Sequence, residues 1–379
     1  MTELEFIGIT ATQRVDTATS ATNGSFGMAT HTEIGVPVGP PVNKEFAAEL
    51  AQAHEASGFD RVLIAHSSAS IDGFVLADQT LEATEKLKVL LAHRPGFWAP
   101  TIAARAYATL NAFHPGRVAM HVITGGDDAD QQRDGDYLTK EERYRRTDDF
   151  LTVLRKEWES DQPFDHDGEF YKVTGAHASV RPEPGQIPIY FGGASEDAIR
   201  VGGKHADAYA FWGEPLDGIR QRIAEVQAAA APYGRKTRFS VSLRPIVAET
   251  EEEAWAQADA ILAAAQAKAG NPGPLSGFGK NAVGSQRLVA VAEQSDVHDK
   301  RLWTALAKVT GGAGNSTSLV GTYEQVAEGL LDYVDLGVTT LLIRGFDPLE
   351  DAKKYGRVIE LVRAGAQLKA EDRRAALAG

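Results

Sequence analysis

The sequence contains no cysteine in its 379 residues. This absence excludes disulfide cross-links, thiolate metal sites and a cysteine nucleophile, so any redox chemistry must come from a bound cofactor. Long hydrophobic runs are also missing, because nowhere do 18 apolar residues follow one another. The first residues, MTELE, are acidic where a secretory signal is basic. We therefore expect a cytoplasmic protein without membrane contact.

Positive charge is scarce as well. The formal net charge is −13, and no block rich in lysine or arginine is present. A nucleic acid would be repelled by such a chain, so it is not an expected partner. The hydrophobic share of 43% and the charged share of 24% are those of ordinary globular proteins. The chain is therefore expected to bury a large core.

Short runs rich in Val, Ile and Leu alternate with longer segments of helical periodicity, which is typical of parallel strands joined by crossover helices. The predicted strands are residues 4–10, 61–65, 87–93, 118–124, 187–192, 206–211, 239–248 and 339–344. The predicted helices are residues 44–57, 73–84, 101–113, 140–159, 195–204, 216–233, 251–268 and 323–336. Eight strands favour a closed α/β barrel, the (β/α)8 TIM barrel, over an open sheet.

Two segments are longer than the loops that a minimal (β/α)8 barrel needs. Residues 11–42 are rich in Thr, Ser, Gly and Pro and predict a long loop after the first strand, while residues 270–285 predict a mobile loop before the last strand. We expect both to be insertions at the C-terminal rim of one domain spanning residues 1–379, where long loops often act as lids. A disordered surface insertion is the other interpretation.

The sequence YFGGAS, residues 190–195, ends a predicted strand with two glycines and a serine. Glycines allow close approach of the backbone to an anion, and the N-terminus of the following helix offers free N–H groups and partial positive charge. This pattern predicts a phosphate site that includes Gly193, Ala194 and Ser195. The alternative interpretation is a plain strand-to-helix turn with a serine N-cap.

Further motifs follow the strands at regular intervals. They are HRPGFWAPT at residues 93–101, HVITGG at 121–126 with ERY at 142–144, FWGEP at 211–215, and GGAG at 311–314 with LVG at 319–321. In this order and spacing, together with YFGGAS, they resemble the bacterial luciferase-like flavin-dependent monooxygenases, and within them the FMNH2-dependent alkanesulfonate monooxygenase branch.

The resemblance implies a two-component monooxygenase. A separate NAD(P)H:flavin reductase would supply FMN as FMNH2, and O2 as co-substrate would form a C4a-(hydro)peroxyflavin that oxygenates an organosulfonate or related organosulfur compound. Relatives of this type commonly form homodimers or homotetramers. Such chemistry demands a dry pocket for the flavin ring and a cradle for its phosphate.

The resemblance also implies roles for individual residues. The cofactor-binding positions are Ala65, His93, Thr124, Arg143, Tyr144, Gly193, Ala194 and Ser195. Candidates for catalysis are His66 and His121 as general acids, since imidazole titrates near neutral pH, and Arg244. The substrate-binding positions are Ser70, Trp98, Trp212, Arg344 and Phe346. For His93 and His121 the alternative is a satisfied interior histidine.

The polar lining departs from the alkanesulfonate branch. In chain order, the Cys, Arg, His, Arg and Tyr of that branch are matched here by Ser70, Ser242, Arg244, Thr310 and Phe346. Arg244 and Arg344 remain as possible anion clamps, although Arg344 has the alternative of a rim salt bridge with Asp347 or Glu350.

Two other functions stay open: an F420- or flavin-dependent oxidoreductase of the same superfamily, and a non-catalytic flavin-binding barrel. No His-x-His at a strand end and no HExxH pair is present, so no metal is expected.

Overall fold

A computed structural model of the chain describes residues 4–16, 36–269, 282–312 and 314–378. In chain order the strands are β1 (Glu5–Ile9), β2 (Arg14–Asp16), β3 (Val36–Val38), β4 (Arg61–Ile64), β5 (Lys88–His93), β6 (Val118–Val122), β7 (Phe164–Asp167), β8 (Lys172–Ala176), β9 (Ile189–Gly192), β10 (Ala208–Trp212), β11 (Arg238–Leu243), β12 (Ile246–Ala248), β13 (Val297–His298), β14 (Leu302–Trp303), β15 (Ser318–Thr322) and β16 (Thr340–Ile343).

The helices in the same order are α1 (Lys44–Ala56), α2 (Gly73–Glu82), α3 (Pro100–Phe113), α4 (Asp128–Arg133), α5 (Lys140–Glu159), α6 (Glu196–His205), α7 (Leu216–Ala230), α8 (Glu251–Ala269), α9 (Val283–Gln294), α10 (Ala305–Thr310), α11 (Tyr323–Asp335) and α12 (Pro348–Ala378). No helix in these described ranges has both the length and the apolar character that crossing a membrane requires.

Eight parallel strands close into a barrel in the order β1-β16-β11-β10-β9-β6-β5-β4. This arrangement confirms the predicted (β/α)8 barrel, and each of the eight predicted strands contributes one member. Inside the barrel lies a small apolar layer that includes Ile7, Leu90, Ala119 and Leu342. The larger core lies between the barrel and its surrounding helices. Side chains on each strand alternate between these two environments.

The amino-terminal end of the barrel is closed by a buried polar network. Arg61 donates to the carboxylate of Glu5 at 3.0 Å, and the hydroxyl of Tyr190 donates to the same carboxylate. Thr340 donates to it as well, at 3.3 Å. Because these side chains fill that end, a cavity in the barrel is accessible only from the carboxyl ends of the strands.

One predicted strand, residues 239–248, is wrong as a single element. The chain leaves the barrel after Leu243, and Ile246–Ala248 pairs instead with β15 in a second sheet of order β12-β15-β14-β13. Proline at position 245 lacks the N–H that a continuous ladder needs, and the Arg244 amide donates to Thr317 O at 2.9 Å. This second sheet packs with α8 and α10 beside the carboxyl-terminal rim of the barrel.

The loop predictions are corrected in part. Within the predicted loop 11–42, β2 and β3 form an antiparallel pair, and residues 17–35 lie outside the described ranges. Of the predicted loop 270–285, residues 270–281 lie outside them too, while α9 already begins at Val283. The long helix α12 was not predicted, although Pro348 at its first position and Glu350 and Asp351 in its first turn are typical helix-start signals.

Candidate active site

A cavity of about 450 Å³ opens at the carboxyl ends of the barrel strands. Its floor is apolar, with Ile9, Leu63, Leu90 and Leu342 among the lining residues, and its rim is polar. Ala282, Val283 and Gly284, at the start of α9, close one side of it. Position and character are those expected of an active site in this fold, where the strand ends and following loops carry the chemistry.

The YFGGAS turn lies at the edge of this cavity, where Gly192, Gly193, Ala194 and Ser195 all contribute to the wall. Gly193 has a φ of 149°, and a Cβ there would lie 2.6 Å from Ala198 Cβ. Only glycine fits that conformation without displacing α6. Ser195 caps α6, because its hydroxyl accepts the amide of Ala198 at 3.3 Å.

The turn is anchored by side chains of β10 and α7. The carbonyl oxygen of Gly193 accepts the hydroxyl of Tyr209 at 3.0 Å and the Nη2 of Arg222 at 3.3 Å. Tyr144 reaches the turn from α5, where its hydroxyl is hydrogen-bonded to the Ser195 side chain and burial raises its pKa. A fixed glycine backbone at a helix N-terminus, flanked by hydroxyl groups, is suited to a phosphate.

Helix α5 presents Lys140 to the cavity, and not Arg143 as predicted. Lys140 lines the cavity one helical turn before Tyr144, on the same side of the helix. Arg143 projects about 100° away from Tyr144 around the helix axis. Its guanidinium donates to Leu138 O at 2.6 Å and to Asp128 Oδ1 at 2.7 Å. We therefore correct the expectation for Arg143, which secures the loop before α5, while Lys140 supplies a cation to the cavity.

His121 and Thr124 lie in the cavity wall at the end of β6, as do Ala65 and His66 after β4. Burial lowers the pKa of His121 to about 4. Burial first, and then the charge of Arg94, lowers the pKa of His66. Both imidazoles are therefore neutral at pH 7, so each can donate a hydrogen bond or accept a proton. Neither carries the extra proton that the predicted role of general acid requires.

Three of the predicted substrate-binding residues also line the cavity: Ser70, Trp212 and Arg344. The Ser70 hydroxyl lies 2.9 Å from the Ser67 hydroxyl, and an Arg344 nitrogen donates to the carbonyl of Gly314. Trp212 is covered by Gly284, where a Cβ would lie 3.1 Å from the indole ring. These residues come from strands on different sides of the barrel, so together they surround one compartment.

His93 lies on the other face of its strand. In β5 the side chain of Leu90 points into the barrel, so those of Val89, Leu91 and His93 point outward. The His93 ring packs 5.2 Å from Phe150 and 5.8 Å from Tyr107, and burial lowers its pKa to about 3. The expectation that His93 faces the flavin ring is corrected: it is an interior histidine of the helix layer.

Trp98 is also outside the cavity lining. It stacks on Phe74, with ring centroids 5.0 Å apart, on the helix side of the barrel. The segment after β5 places the Trp98 ring against α2 and not over the carboxyl ends of the barrel strands. The predicted substrate contact of Trp98 is therefore corrected.

Arg244 and Phe346 pack against each other away from the cavity. The Arg244 guanidinium lies 3.8 Å from the centre of the Phe346 ring and donates to Gly345 O at 2.7 Å. Both belong to the layer between the barrel and the second sheet, because the chain turns out of the barrel at Pro245 and after Arg344. We correct both expectations: Arg244 supports the turn that carries Arg344 and does not itself line the cavity.

A family model described as luciferase-like monooxygenase matches residues 25–340. The chain belongs to this family. The match covers six of the eight barrel strands, β4, β5, β6, β9, β10 and β11, and the sequence motifs that follow them. It confirms the luciferase-like family that the sequence motifs indicated.

Solved structures of similar fold agree with this assignment. The crystal structure of a long-chain alkane monooxygenase (LadA) is 19% identical, with a TM-score of 0.72, and covers 98% of this chain and 92% of that chain. EDTA monooxygenase (EmoA) from Chelativorans sp. BNC1 is 18% identical, with a TM-score of 0.72 and coverage of 97% and 94%. A riboflavin lyase (RcaE), solved with modified FMN and riboflavin, is 17% identical, with a TM-score of 0.70 and coverage of 96% and 92%. At these identities the likeness is one of fold.

Six charged residues of the cavity wall were not predicted from the sequence: Arg94, Asp127, Asp130, Lys140, Glu214 and Arg222. A signal existed for Lys140, because it precedes Tyr144 by one turn of a predicted helix. Arg94 is part of the HRPG motif, but the motif was interpreted as a cofactor-binding role for His93. For Asp130 and Arg222 no local signal exists, since they reach the site from α4 and α7.

Outside the cavity, one group of three potential metal ligands occurs in the described part of the chain. The Nε2 atom of His114 lies 3.0 Å from Asp78 and 3.8 Å from Glu82. The two carboxylates are exposed, and the contact joins α2 to α3. We interpret it as a hydrogen-bonded contact that joins these helices.

Replacement of His93 tests its assignment to the helix layer. In His93→Phe, we expect unchanged flavin affinity and higher stability in acid. The folded-state pKa of His93 lies below the unfolded value, so the unfolded chain binds the proton first and stability is lost as the pH falls below about 6.5. The variant should therefore gain about 1.4 kcal/mol over the wild type between pH 8 and pH 5.5, measured by urea denaturation.

The matched control is His177→Phe, at an exposed histidine, which should change neither property. A loss of flavin affinity above fivefold in His93→Phe would instead put His93 back at the flavin.

Proposed function

We propose that the protein is an FMNH2-dependent, two-component monooxygenase that acts on an organosulfonate or a related organosulfur compound. One observation carries the proposal: the glycine turn at Gly193 and the polar groups at the ends of β4, β6, β10 and β16 open into the same cavity. A phosphate site and a sheltered compartment therefore adjoin, as a mononucleotide cofactor requires.

The residues present fit FMN. Gly193, Ala194 and Ser195 offer backbone N–H groups and a hydroxyl for the phosphate, and Lys140 offers a cation within the same wall. A side chain at position 193 would fill the space in front of α6. When bound in the reduced form, the flavin supplies the electrons that activate O2.

Beside a bound flavin ring, the residues of the chain would exclude water and orient the reactants. The apolar floor of the cavity disfavours water. A dry compartment protects the reactive intermediates of an oxygenation from side reactions. The Nδ1 atom of His121 is buried without a hydrogen-bond partner in the described structure, so it is available to a ligand. Because His66 and His121 are neutral at pH 7, we assign them hydrogen bonding or proton acceptance; the general acid has no assigned residue.

The proposed substrate class rests on the resemblance and is supported by one cation of the cavity wall. Arg344 lines the cavity directly after β16, where its guanidinium is suited to sulfonate oxygens, whereas the Arg244 guanidinium donates to Gly345 O outside the cavity. Ser70 and Trp212 complete the compartment with a hydroxyl and an aromatic surface. An NAD(P)H:flavin reductase remains the proposed transient partner, and a homodimer or homotetramer the proposed assembly.

The test is an aerobic assay with purified protein, a flavin reductase, NADH and FMN against sulfonates, sulfones and carbonyl compounds. We expect sulfite release or an oxygenated product that carries label from ¹⁸O2, dependent on both proteins. Turnover without O2 in the presence of F420 would favour the hydride-transfer alternative. Tight flavin binding without turnover of any compound would favour the non-catalytic barrel. Absence of FMN and FMNH2 binding would contradict the proposal altogether.

A further inference from the structure

Arg94 is a buried arginine with unused hydrogen-bonding capacity at the cavity. It follows β5 directly, lines the cavity and is 6% exposed. One terminal nitrogen, Nη2, pairs with the carboxylate of Asp130. The other two, Nε and Nη1, have no hydrogen-bond partner in the described structure, and the nearest further carboxylate, Asp134, is 4.0 Å from Nη1. Two buried donor nitrogen atoms without acceptors are costly in a folded protein.

This situation distinguishes Arg94 from other arginines of the described chain whose Nε atom is buried. Arg143, Arg146, Arg155 and Arg301 each leave only the Nε atom without a partner, and none of them lines the cavity. A single unbonded Nε is thus common in this fold, whereas an unbonded terminal Nη1 in a cavity wall is not. The difference points to a role that the folded chain alone does not fulfil.

The guanidinium is held in a fixed position. Asp130 is 1% exposed, and its second oxygen accepts the amide and the hydroxyl of Ser68 at 3.1 and 2.5 Å. The pair therefore joins the loops after β4 and β5 to α4. Because Asp130 balances the charge of Arg94, the pair selects a ligand by hydrogen-bond geometry more than by net charge.

His66 lies beside this pair. It follows β4, the strand adjacent to β5, and its Nε2 atom is buried without a hydrogen-bond partner. The wall formed by β4 and β5 thus presents unbonded nitrogen atoms from two side chains. This wall is separate from the glycine turn, since β6 lies between β5 and β9 in the barrel.

We infer that Arg94, together with His66, forms a substrate-recognition subsite that binds a polarised oxygen of the organic substrate, as in a sulfonyl or carbonyl group. Nε and Nη1 are the donors left for that oxygen, while Nη2 keeps Asp130. The inference deepens the proposed function, because it assumes that an organic molecule occupies the cavity beside the flavin. It favours oxygen-bearing substrates over purely hydrocarbon or thioether ones.

The decisive variant is Arg94→Lys, which retains a cation for Asp130 but removes the fork of N–H donors. Three probes of one skeleton report on the subsite: methyl phenyl sulfone, benzenesulfonate and thioanisole. Their affinities are measured by calorimetry, with and without saturating FMN, in the wild type, Arg94→Lys and the exposed control Arg220→Lys. FMN affinity and thermal unfolding are measured for each protein.

We expect the wild type and Arg220→Lys to bind both oxygenated probes at least tenfold more tightly than thioanisole. Arg94→Lys should lose about tenfold to hundredfold for the oxygenated probes, and less than twofold for thioanisole, with unchanged FMN affinity. If Arg94→Lys unfolds, the double variant Arg94→Gln/Asp130→Asn removes both charges together and carries the same expectation.

Equal affinity of the wild type for all three probes would overturn the inference, as would retained discrimination in Arg94→Lys. If FMN binds and only the probe result fails, the proposed function stands without this subsite. If the wild type does not bind FMN, the proposed function fails, and the flavin-free titrations still report on Arg94.

Discussion

Gly193→Ala should weaken FMN binding about hundredfold, equivalent to about 2.7 kcal/mol. The new methyl group would meet Ala198 Cβ at 2.6 Å and the Tyr144 hydroxyl at 3.2 Å, and the φ of 149° is unfavourable for alanine. The turn must therefore shift, and its N–H groups lose their alignment toward the phosphate. Flavin fluorescence titrations with FMN and riboflavin measure the effect. Riboflavin lacks the phosphate, so its affinity should change less than threefold.

The matched control is Gly234→Ala. That glycine also has a positive φ, 64°, but a Cβ there meets no atom within 4 Å. We expect a stability loss of about 1 kcal/mol and no effect on flavin. Were Gly193→Ala to bind FMN within threefold of the wild type, while remaining folded, the phosphate would have to be held at another place.

Lys140→Met should lower the affinity for FMN by about thirtyfold through loss of a cation beside the phosphate, equivalent to about 2 kcal/mol. The affinity for riboflavin should stay the same, and the salt dependence of FMN binding should become weaker. The reason is positional: Lys140 lines the cavity one turn from Tyr144, which touches the Ser195 side chain. Titrations at two ionic strengths provide the measurement.

Two comparison variants make this result specific. Lys236→Met, at an exposed lysine before β11, should leave FMN binding unchanged. Arg143→Met should instead reduce the free energy of unfolding by about 2 kcal/mol, because its bonds to Leu138 and Asp128 are lost. If Arg143→Met abolished FMN binding in a stable protein while Lys140→Met did not, the original assignment of Arg143 would be restored.

The site could be predicted where its signal is local. The glycines and the serine of YFGGAS require a particular backbone and a particular helix start, and both requirements are written in six consecutive residues. His121, Thr124, Ala65 and His66 also lie in the cavity wall, because they stand at or just after strand ends that the sequence pattern identifies; their roles toward a flavin stay predictions. Each of these residues needs only the position of one strand end to be located in the cavity.

The errors have a different cause. His93 and His121 both end barrel strands, yet they point to opposite sides, because Ala92 and not His93 is the register partner of His121. Which parity faces the interior is fixed by how neighbouring strands pair and close, and a single strand does not carry that information. Arg244 was misplaced because the chain leaves the barrel at Pro245, which redirects its side chain toward Phe346.

The sequence by itself determined the alternation of eight strands with helices, the glycine turn with its capping serine, and the family to which the chain belongs. These depend on periodicity, on backbone conformations that only glycine adopts, and on motif order. Tertiary structure alone decided which charges meet at the cavity. Lys140, Arg94 and Arg222 come from segments distant in the chain, and only the closure and register of the barrel bring them to one cavity.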